Sequence, residues 1–272
     1  MSEKKVRLDV LLVEKGFFES RERAKASIMA GEIFIDGIRF DKCGEKVKEN
    51  SNVEFKGEKM PYVSRGGYKL EKAIRNFDIN LKNKTCLDIG AATGGFTDCM
   101  LQNGASKVFA IDVGYGQLAW KLRTDPRVIC MERTNFRYVT YDDVGEYADF
   151  GSIDVSFISL EKVIPPALKL LSDKGEMVAL IKPQFEAGRD KVGKKGVVRE
   201  KSVHEEVINK IVLFVKKSNL KIKGLQYSPI KGPEGNIEYL IYFTKDKEYN
   251  EKFSINNIKD IVDMSHENLD ER

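Results

Sequence analysis

The 272-residue chain is poor in the residues that metal sites and disulfide scaffolds need. It has two histidines, His204 and His266, and four cysteines, Cys43, Cys86, Cys99 and Cys130, with no C-x-x-C spacing among them. A zinc cluster is hard to build from that set, so no metal is expected and the thiols read as reduced structural cysteines. No window approaches the roughly 18 consecutive apolar residues of a membrane span, because charges interrupt every hydrophobic run. The N-terminal Met-Ser-Glu-Lys-Lys-Val-Arg has neither an apolar signal core nor a small-residue cleavage site, and a cytoplasmic location is expected. Charge of one sign is also missing. With 46 Lys plus Arg against 42 Asp plus Glu the surplus is +4, so any case for a nucleic-acid partner has to be local.

What is present suits a soluble globular chain of one large or two ordinary domains: 42% apolar, 10% aromatic and 32% charged residues. Leu8, Leu11 and Leu12 recur at helical spacing up to Gly16, and Ser20 caps a second helix that stops at Gly31. Ile33-Phe34-Ile35, the turn Asp36-Gly37 and Val53-Glu54-Phe55 add a small β element, closing a unit near residue 60. From Lys84 the pattern becomes strands alternating with helices: Thr85–Ile89, Val108–Asp112, Val128–Met131, Ile153–Phe157 and Met177–Ile181, preceded by a helix over Tyr68–Phe77. That alternation predicts a doubly wound, mostly parallel sheet. Strands near Ile222–Tyr227 and Glu238–Phe243 flank a Gly/Pro-rich loop and predict an antiparallel hairpin at the sheet edge.

Leu87-Asp88-Ile89-Gly90-Ala91-Ala92-Thr93-Gly94-Gly95-Phe96-Thr97 runs from strand through a glycine turn into a helix. Small residues there let a ligand approach the backbone. Asp112, 22 residues after Gly90 at the end of the next strand, is placed to accept bonds from ribose hydroxyls, which implies a nucleoside-bearing cofactor. Spacing alone does not separate S-adenosylmethionine from a dinucleotide.

The stretch Asp88-x-Gly-Ala-Ala-Thr-Gly-Gly-Phe96 resembles the cofactor loop of FtsJ-type S-adenosylmethionine-dependent ribose 2'-O-methyltransferases. The resemblance implies that Asp88, Gly90, Ala91, Ala92, Thr93, Gly94, Gly95, Phe96, Asp112 and Asp154 bind the cofactor. Those enzymes carry a Lys-Asp-Lys-Glu catalytic set, and Lys69, Asp154, Lys182 and Glu238 stand in that order here, in Ser64-Arg-Gly-Gly-Tyr-Lys69, Asp154-Val-Ser-Phe, Leu-Ile-Lys182-Pro-Gln-Phe-Glu and Asn-Ile-Glu238-Tyr. FtsJ usually has Pro where Thr93 stands, and with the N-terminal helices the whole of residues 5–244 resembles the TlyA (hemolysin A) family. That family joins an alpha-L RNA-binding module, of ribosomal-protein type, to a Rossmann-like class I methyltransferase domain with a seven-stranded sheet. The implied organisation is an RNA-binding module over 1–59, a linker over 60–64, the methyltransferase domain over 65–245 and a tail over 246–272. The implied activity is methylation of a cytidine ribose in ribosomal RNA, free or within ribosomal subunits.

The chemistry holds without the family. Lys182 ends the apolar strand Met177-Val-Ala-Leu-Ile181, so it should be partly desolvated beside Asp154 and Glu238, with Lys69 adding positive charge near a developing alkoxide. Lys182 acts there either as a general base or as a charged clamp on the oxyanion. Ser159 and Thr97 have no histidine near them in sequence, and His204 opens a helical stretch, so a hydrolytic triad is rejected. For RNA, Arg7, Arg21, Arg23 and Lys25 offer one basic face in a module whose first 63 residues hold 13 basic and 12 acidic side chains. Arg65 is a further candidate. Lys191, Lys194, Lys195 and Arg199 sit on a glycine-rich segment read as a loop that closes on substrate, and six lysines between Val207 and Pro233 form a second phosphate-tracking candidate. Two rivals of other classes are a non-catalytic ribosome-assembly factor and a pore-forming hemolysin. The four-residue set argues against the first, and the lack of any amphipathic hairpin or membrane segment against the second.

Overall fold

A computed structural model describes residues 5–18, 20–57, 60–193 and 195–270. The chain divides into two compact units, Met1–Pro61 and Tyr62–Arg272.

The first unit contains β1 (Lys5–Arg7), α1 (Leu8–Glu14), α2 (Arg21–Met29), β2 (Ile33–Ile35), β3 (Ile38–Phe40), β4 (Lys46–Lys48) and β5 (Val53–Phe55). Leu8, Leu11 and Leu12 from α1 and Ala24 and Ile28 from α2 bury against Ile33 and Ile35 of β2. Ser20 caps α2 by accepting from the Arg23 amide at 3.3 Å. Asp36 and Gly37, both at positive φ, make the two-residue turn between β2 and β3. β1 and β4 pair antiparallel as three-residue strands, too short to leave a signal in Lys-Val-Arg or Lys-Val-Lys.

Asp9 holds this unit in a way the sequence did not disclose. Its side chain is fully buried, yet it accepts from Arg7 Nε at 3.0 Å and from Arg21 Nη2 at 2.7 Å. The Arg7 bond dominates in pulling the carboxyl down to about 2, against the opposing effect of burial. A carboxyl held below its unfolded pKa stabilises the fold above that value and loses the contribution as pH falls through the folded one. Thermal melts should therefore show the first unit weakening between about pH 4 and pH 2, and Asp9→Ala should cost roughly 1 to 3 kcal/mol at neutral pH and flatten that dependence.

The second unit contains, in order, α3 (Gly66–Phe77), β6 (Thr85–Ile89), α4 (Gly95–Gln102), β7 (Lys107–Ile111), α5 (Trp120–Arg123), β8 (Val128–Met131), α6 (Tyr141–Val144), β9 (Ala148–Ile153), α7 (Leu160–Leu168), β10 (Leu171–Ile181), α8 (Pro183–Glu186), α9 (Lys201–Lys217), β11 (Lys221–Tyr227), β12 (Tyr239–Thr244) and α10 (Asn257–Asp270). One seven-stranded sheet runs β11-β12-β10-β9-β6-β7-β8, parallel except for β12, which is antiparallel to both neighbours. Both faces are covered. Met177, Ala179 and Ile181 belong to one apolar layer with α7 and α9, while Val178 and Leu180 belong to the other with α3 and α4. Strands buried on both sides read as unbroken apolar runs, which is why they were visible in the sequence.

Two expectations change. The strand expected at Ile153–Phe157 is β9, five residues earlier, and Asp154 is the residue just past its end. Tyr62 and Val63, expected in a linker, are buried in the core of the second unit, and the Val63 amide donates to Asp98 at 2.8 Å. Lys59 lies outside the described residues. The tail contributes α10, whose Ile258 and Val262 join the apolar layer that holds α7 and α9.

Candidate active site

Strand order reverses at β6 and β9, and a crevice opens beyond the carboxyl ends of the strands at such a point. Gly90 leaves β6 with φ 88°, and a Cβ there would lie 2.4 Å from the Asp154 carbonyl oxygen, so the two strand ends pack backbone to backbone. Gly94, at φ 96°, has Leu122 and Leu118 against the place where a Cβ would go. The turn then enters α4 at Gly95.

Asp112, one residue beyond β7, accepts from the Ala92 amide at 2.8 Å and the Gly114 amide at 2.6 Å, joining the turn to the next loop. Val113 and Tyr115 beyond it are 71% and 67% exposed. Asp88 is corrected: it is fully buried and accepts from Thr97 Oγ1 at 2.6 Å and Ser152 Oγ at 3.2 Å, so it braces the turn from inside rather than lining it. Burial pushes its carboxyl up to about 6, against those two hydrogen bonds.

Lys69, Asp154, Lys182 and Glu238 come together at this edge. Lys182 follows β10 and its Nζ is 2.5 Å from Asp154 Oδ1 and 3.2 Å from Ser156 Oγ. Lys69, from α3, is 2.6 Å from Glu238 Oε2 and 3.8 Å from Asp154 Oδ2. Asp154 thus links two ammonium groups, and because β12 runs antiparallel, Glu238 at its start reaches the same edge as the ends of β9 and β10. Lys69, Lys182 and Glu238 are buried. Burial alone would lower the Lys69 pKa, but the Asp154 and Glu238 carboxylates outweigh it and raise it, so Lys69 stays an ammonium at neutral pH.

Beside Lys182 lies a cleft of about 580 Å³ lined by Phe157, Gln184, Phe185, Gly188, Arg189, Val192 and Gly196. Phe157 is 91% exposed at φ 63°, with its ring 4.9 Å from that of Phe185. Nothing in the sequence pattern had singled out Phe157, Ser156 or Glu186. Glu186, from α8, accepts from Ser159 Oγ and the Leu160 amide, each at 2.7 Å, and so ties the segment after Asp154 to the one after Lys182. Ser159 is a helix cap and a donor to Glu186, and Thr97 serves Asp88.

The basic candidates divide. Arg65 is exposed at the start of α3. Arg7 and Arg21 are half-exposed but paired to Asp9, while Arg23 and Lys25 are partly exposed on α2. Lys191 is paired to Glu206 at 2.6 Å, Lys195 and Arg199 are exposed, and Lys194 lies outside the described residues. The glycine-rich segment is anchored in its second half: Val197 and Val198 are buried, and Asn236 bonds the Val198 amide and the Gly196 carbonyl. Four of the six lysines in the run after Val207 are paired with acids, Lys216 on Glu251, Lys223 on Glu176, Lys231 on Asp270 and Lys210 beside Glu161 and Glu186.

A reversed penultimate strand order, a glycine turn at the switch point and an acidic residue ending the next strand define a Rossmann-like class I methyltransferase domain. Residues 62–245 match the family model described as FtsJ-like methyltransferase, and residues 6–53 match the S4 domain. YqxC of Bacillus subtilis is 48% identical over all of this chain and 98% of its own length. The 16S/23S rRNA (cytidine-2'-O)-methyltransferase TlyA of Mycobacterium tuberculosis is 39% identical over 88% of this chain and 90% of its own. A solved structure of a hemolysin-named protein from Streptococcus thermophilus, 47% identical, superposes with a TM-score of 0.78 over 99% of this chain and 98% of that one. The chain belongs to the TlyA family of FtsJ-like methyltransferases, an S4 domain followed by the methyltransferase domain.

Proposed function

We propose that this enzyme moves the methyl group of S-adenosylmethionine to the 2'-hydroxyl of a cytidine ribose in ribosomal RNA, with the S4 domain docking the RNA. The observation that carries the reading is the convergence of Lys69, Asp154, Lys182 and Glu238 at the carboxyl edge of the sheet, beside the Gly90–Phe96 turn. The cofactor fits the residues present: the turn is shaped by glycines at positive φ, Asp112 stands beside it to take ribose hydroxyls, and exposed Val113 offers an apolar face to a purine. When bound, it supplies an electrophilic methyl group on a sulfonium.

The chain's own residues do the rest. Asp154 fixes the Lys182 amine just past the carboxyl end of β10, where it either takes the 2'-hydroxyl proton or holds the oxygen as its charge develops. Lys69 keeps a second positive charge nearby, and Glu238 keeps Lys69 in place. Arg65, Lys195 and Arg199 face solvent around this edge and serve as phosphate contacts, with Arg7, Arg21, Arg23 and Lys25 doing so on the S4 domain. An rRNA substrate goes with a cytoplasmic enzyme, and among the described residues no helix is long and apolar enough to cross a membrane.

The test is methylation of rRNA or ribosomal subunits by purified protein with methyl-labelled cofactor, followed by alkaline hydrolysis, which a 2'-O-methyl group resists. Label in an alkali-resistant cytidine dinucleotide is expected. Label in bases, or none, would sink the reading. The cofactor site has its own check by calorimetry. Gly94→Val should abolish S-adenosylmethionine binding, because a β-branched residue cannot hold that φ and its side chain would meet Leu118 and Leu122. Asp112→Ala should weaken binding by roughly 1 to 3 kcal/mol through lost hydrogen bonds to the ribose.

A further inference from the structure

α3 carries a second lysine, Lys72, one turn beyond Lys69 and outside the catalytic set. Lys72 is half-buried, and among the described residues no carboxylate pairs with it. Lys69 shows the contrast: that amine, also out of water, keeps its charge because Asp154 and Glu238 stand against it. What Lys72 has instead is the Tyr227 ring, whose centroid lies 3.3 Å from Nζ. A ring face attracts an ammonium but takes none of its hydrogens as an anion would, so the three N–H groups are left without a charged acceptor. Burial, with no acid to oppose it, lowers the amine's pKa to about 8. The amine stands in a pocket of about 420 Å³, lined by Tyr68, Arg75 and Asn76 on the helix side and by Pro229 and Ile230 of the loop between β11 and β12. Glu71, the one acid in the lining, is turned to Arg75 at 2.8 Å, which leaves the Lys72 ammonium as the uncompensated charge. Both walls also carry the catalytic set. Tyr68 directly precedes Lys69, and the loop runs on to Glu238, whose carbonyl accepts from the Ser228 amide at 2.8 Å. The Lys69–Glu238 pair joins the two walls.

We propose that this pocket binds a backbone phosphate of the RNA substrate, with the Lys72 ammonium on the phosphate oxygens and the attached ribose against Pro229 and Ile230. A half-buried ammonium without an acid gains more from an anion than an exposed or already paired one does, because the field of each charge is less screened there. The pocket has room beyond a bare phosphate, and its loop side is apolar, as the carbon face of a sugar requires. An RNA strand seated on Lys72 is held by the same helix and loop that present Lys69 and Glu238, so the contact positions the strand beside the reacting ribose and takes no part in methyl transfer. That the anion is RNA rests on the methyltransferase reading, whereas the seating of an anion on Lys72 does not.

The test uses the full-length protein. Lysines are acetylated at pH 8 with an activated ester and read peptide by peptide by mass spectrometry, with and without an rRNA fragment at a concentration that filter binding shows to be saturating. RNA should slow labelling of Lys72 about tenfold and leave that of Lys174, exposed in the first half of β10 at the other end of the sheet, unchanged. Inorganic phosphate at the same phosphate concentration is the second arm, and protection as strong as that by RNA would overturn the RNA assignment. Lys72→Gln should weaken RNA binding about tenfold, the size of one charge-assisted hydrogen bond, and take about one from the slope of log affinity against log salt. Lys72→Arg, which keeps the charge, should recover most of both. Asn76→Glu, at an exposed position, should weaken binding by like charge without lowering the melting temperature. In turnover the loss should fall on KM for rRNA. Unchanged labelling under saturating RNA, or an unchanged salt slope in Lys72→Gln, would overturn the pocket. A wild type whose Lys72 is protected by RNA but which methylates no rRNA would refute the activity and leave the pocket standing.

Discussion

Lys182→Ala is expected to lower kcat for methyl transfer by roughly 10² to 10⁴-fold while leaving cofactor and RNA binding in place. The substitution removes the one amine that Asp154 and Ser156 hold at the carboxyl end of β10, and Lys69 does not replace it because Glu238 and Asp154 keep it charged. Lys182→Arg divides the two roles. A guanidinium keeps the charge and does not deprotonate at any practical pH, so an inactive Arg variant identifies Lys182 as a base and a nearly active one as a clamp. Full activity in both variants would remove Lys182 from the chemistry. Single-turnover rates are the measurement of choice, since they separate methyl transfer from product release.

Deletion of residues 1–59 should abolish rRNA methylation and leave S-adenosylmethionine affinity unchanged. The cofactor turn, Asp112 and all four catalytic candidates lie in the second unit, whose core begins at Tyr62 and Val63 and so survives the cut. Phosphate contacts position a nucleic acid and dominate its affinity, and without the S4 domain they shrink to the few cations around the active edge. Binding by the intact enzyme should weaken steeply as salt rises, and the truncated form should show a shallower slope. Equal methylation by both forms would overturn the division of labour.

Much of this was legible beforehand because the sheet is buried on both faces. Thr85–Ile89 and Val128–Met131 read true to the residue, and the glycine turn after the first of them leaves β6 at Gly90 and enters α4 at Gly95. β9 was misplaced because Ala148-Asp-Phe-Gly-Ser-Ile is a weak strand signal with a glycine in it, whereas Ile153-Asp-Val-Ser-Phe alternates well but is loop from Asp154 on. Partners distant in sequence were the other blind spot. The lysine-rich stretch after Val207 looked like a free basic surface, but Glu251, Glu176 and Asp270, which pair Lys216, Lys223 and Lys231, lie 35 to 47 residues away from them in sequence. Asp9 between Arg7 and Arg21, and Asp88 beneath its turn, were hidden for a related reason: a buried carboxylate looks like an exposed one until its donors are placed around it.

The antiparallel strand β12 leaves its mark on how the molecule comes into being. It is the last strand in the chain but not the last in the sheet, lying between β10 and β11. A growing chain that has finished β11 cannot seat it, since its neighbour does not yet exist, and β10 keeps an open edge until β12 arrives. Lys69 waits across 169 residues of sequence for Glu238. Closing so long a loop is slow, so sheet and catalytic set should be completed in one late event. The enzyme therefore has no competent half-made form: until nearly the whole chain has been synthesised, Lys69 has no Glu238 to hold it.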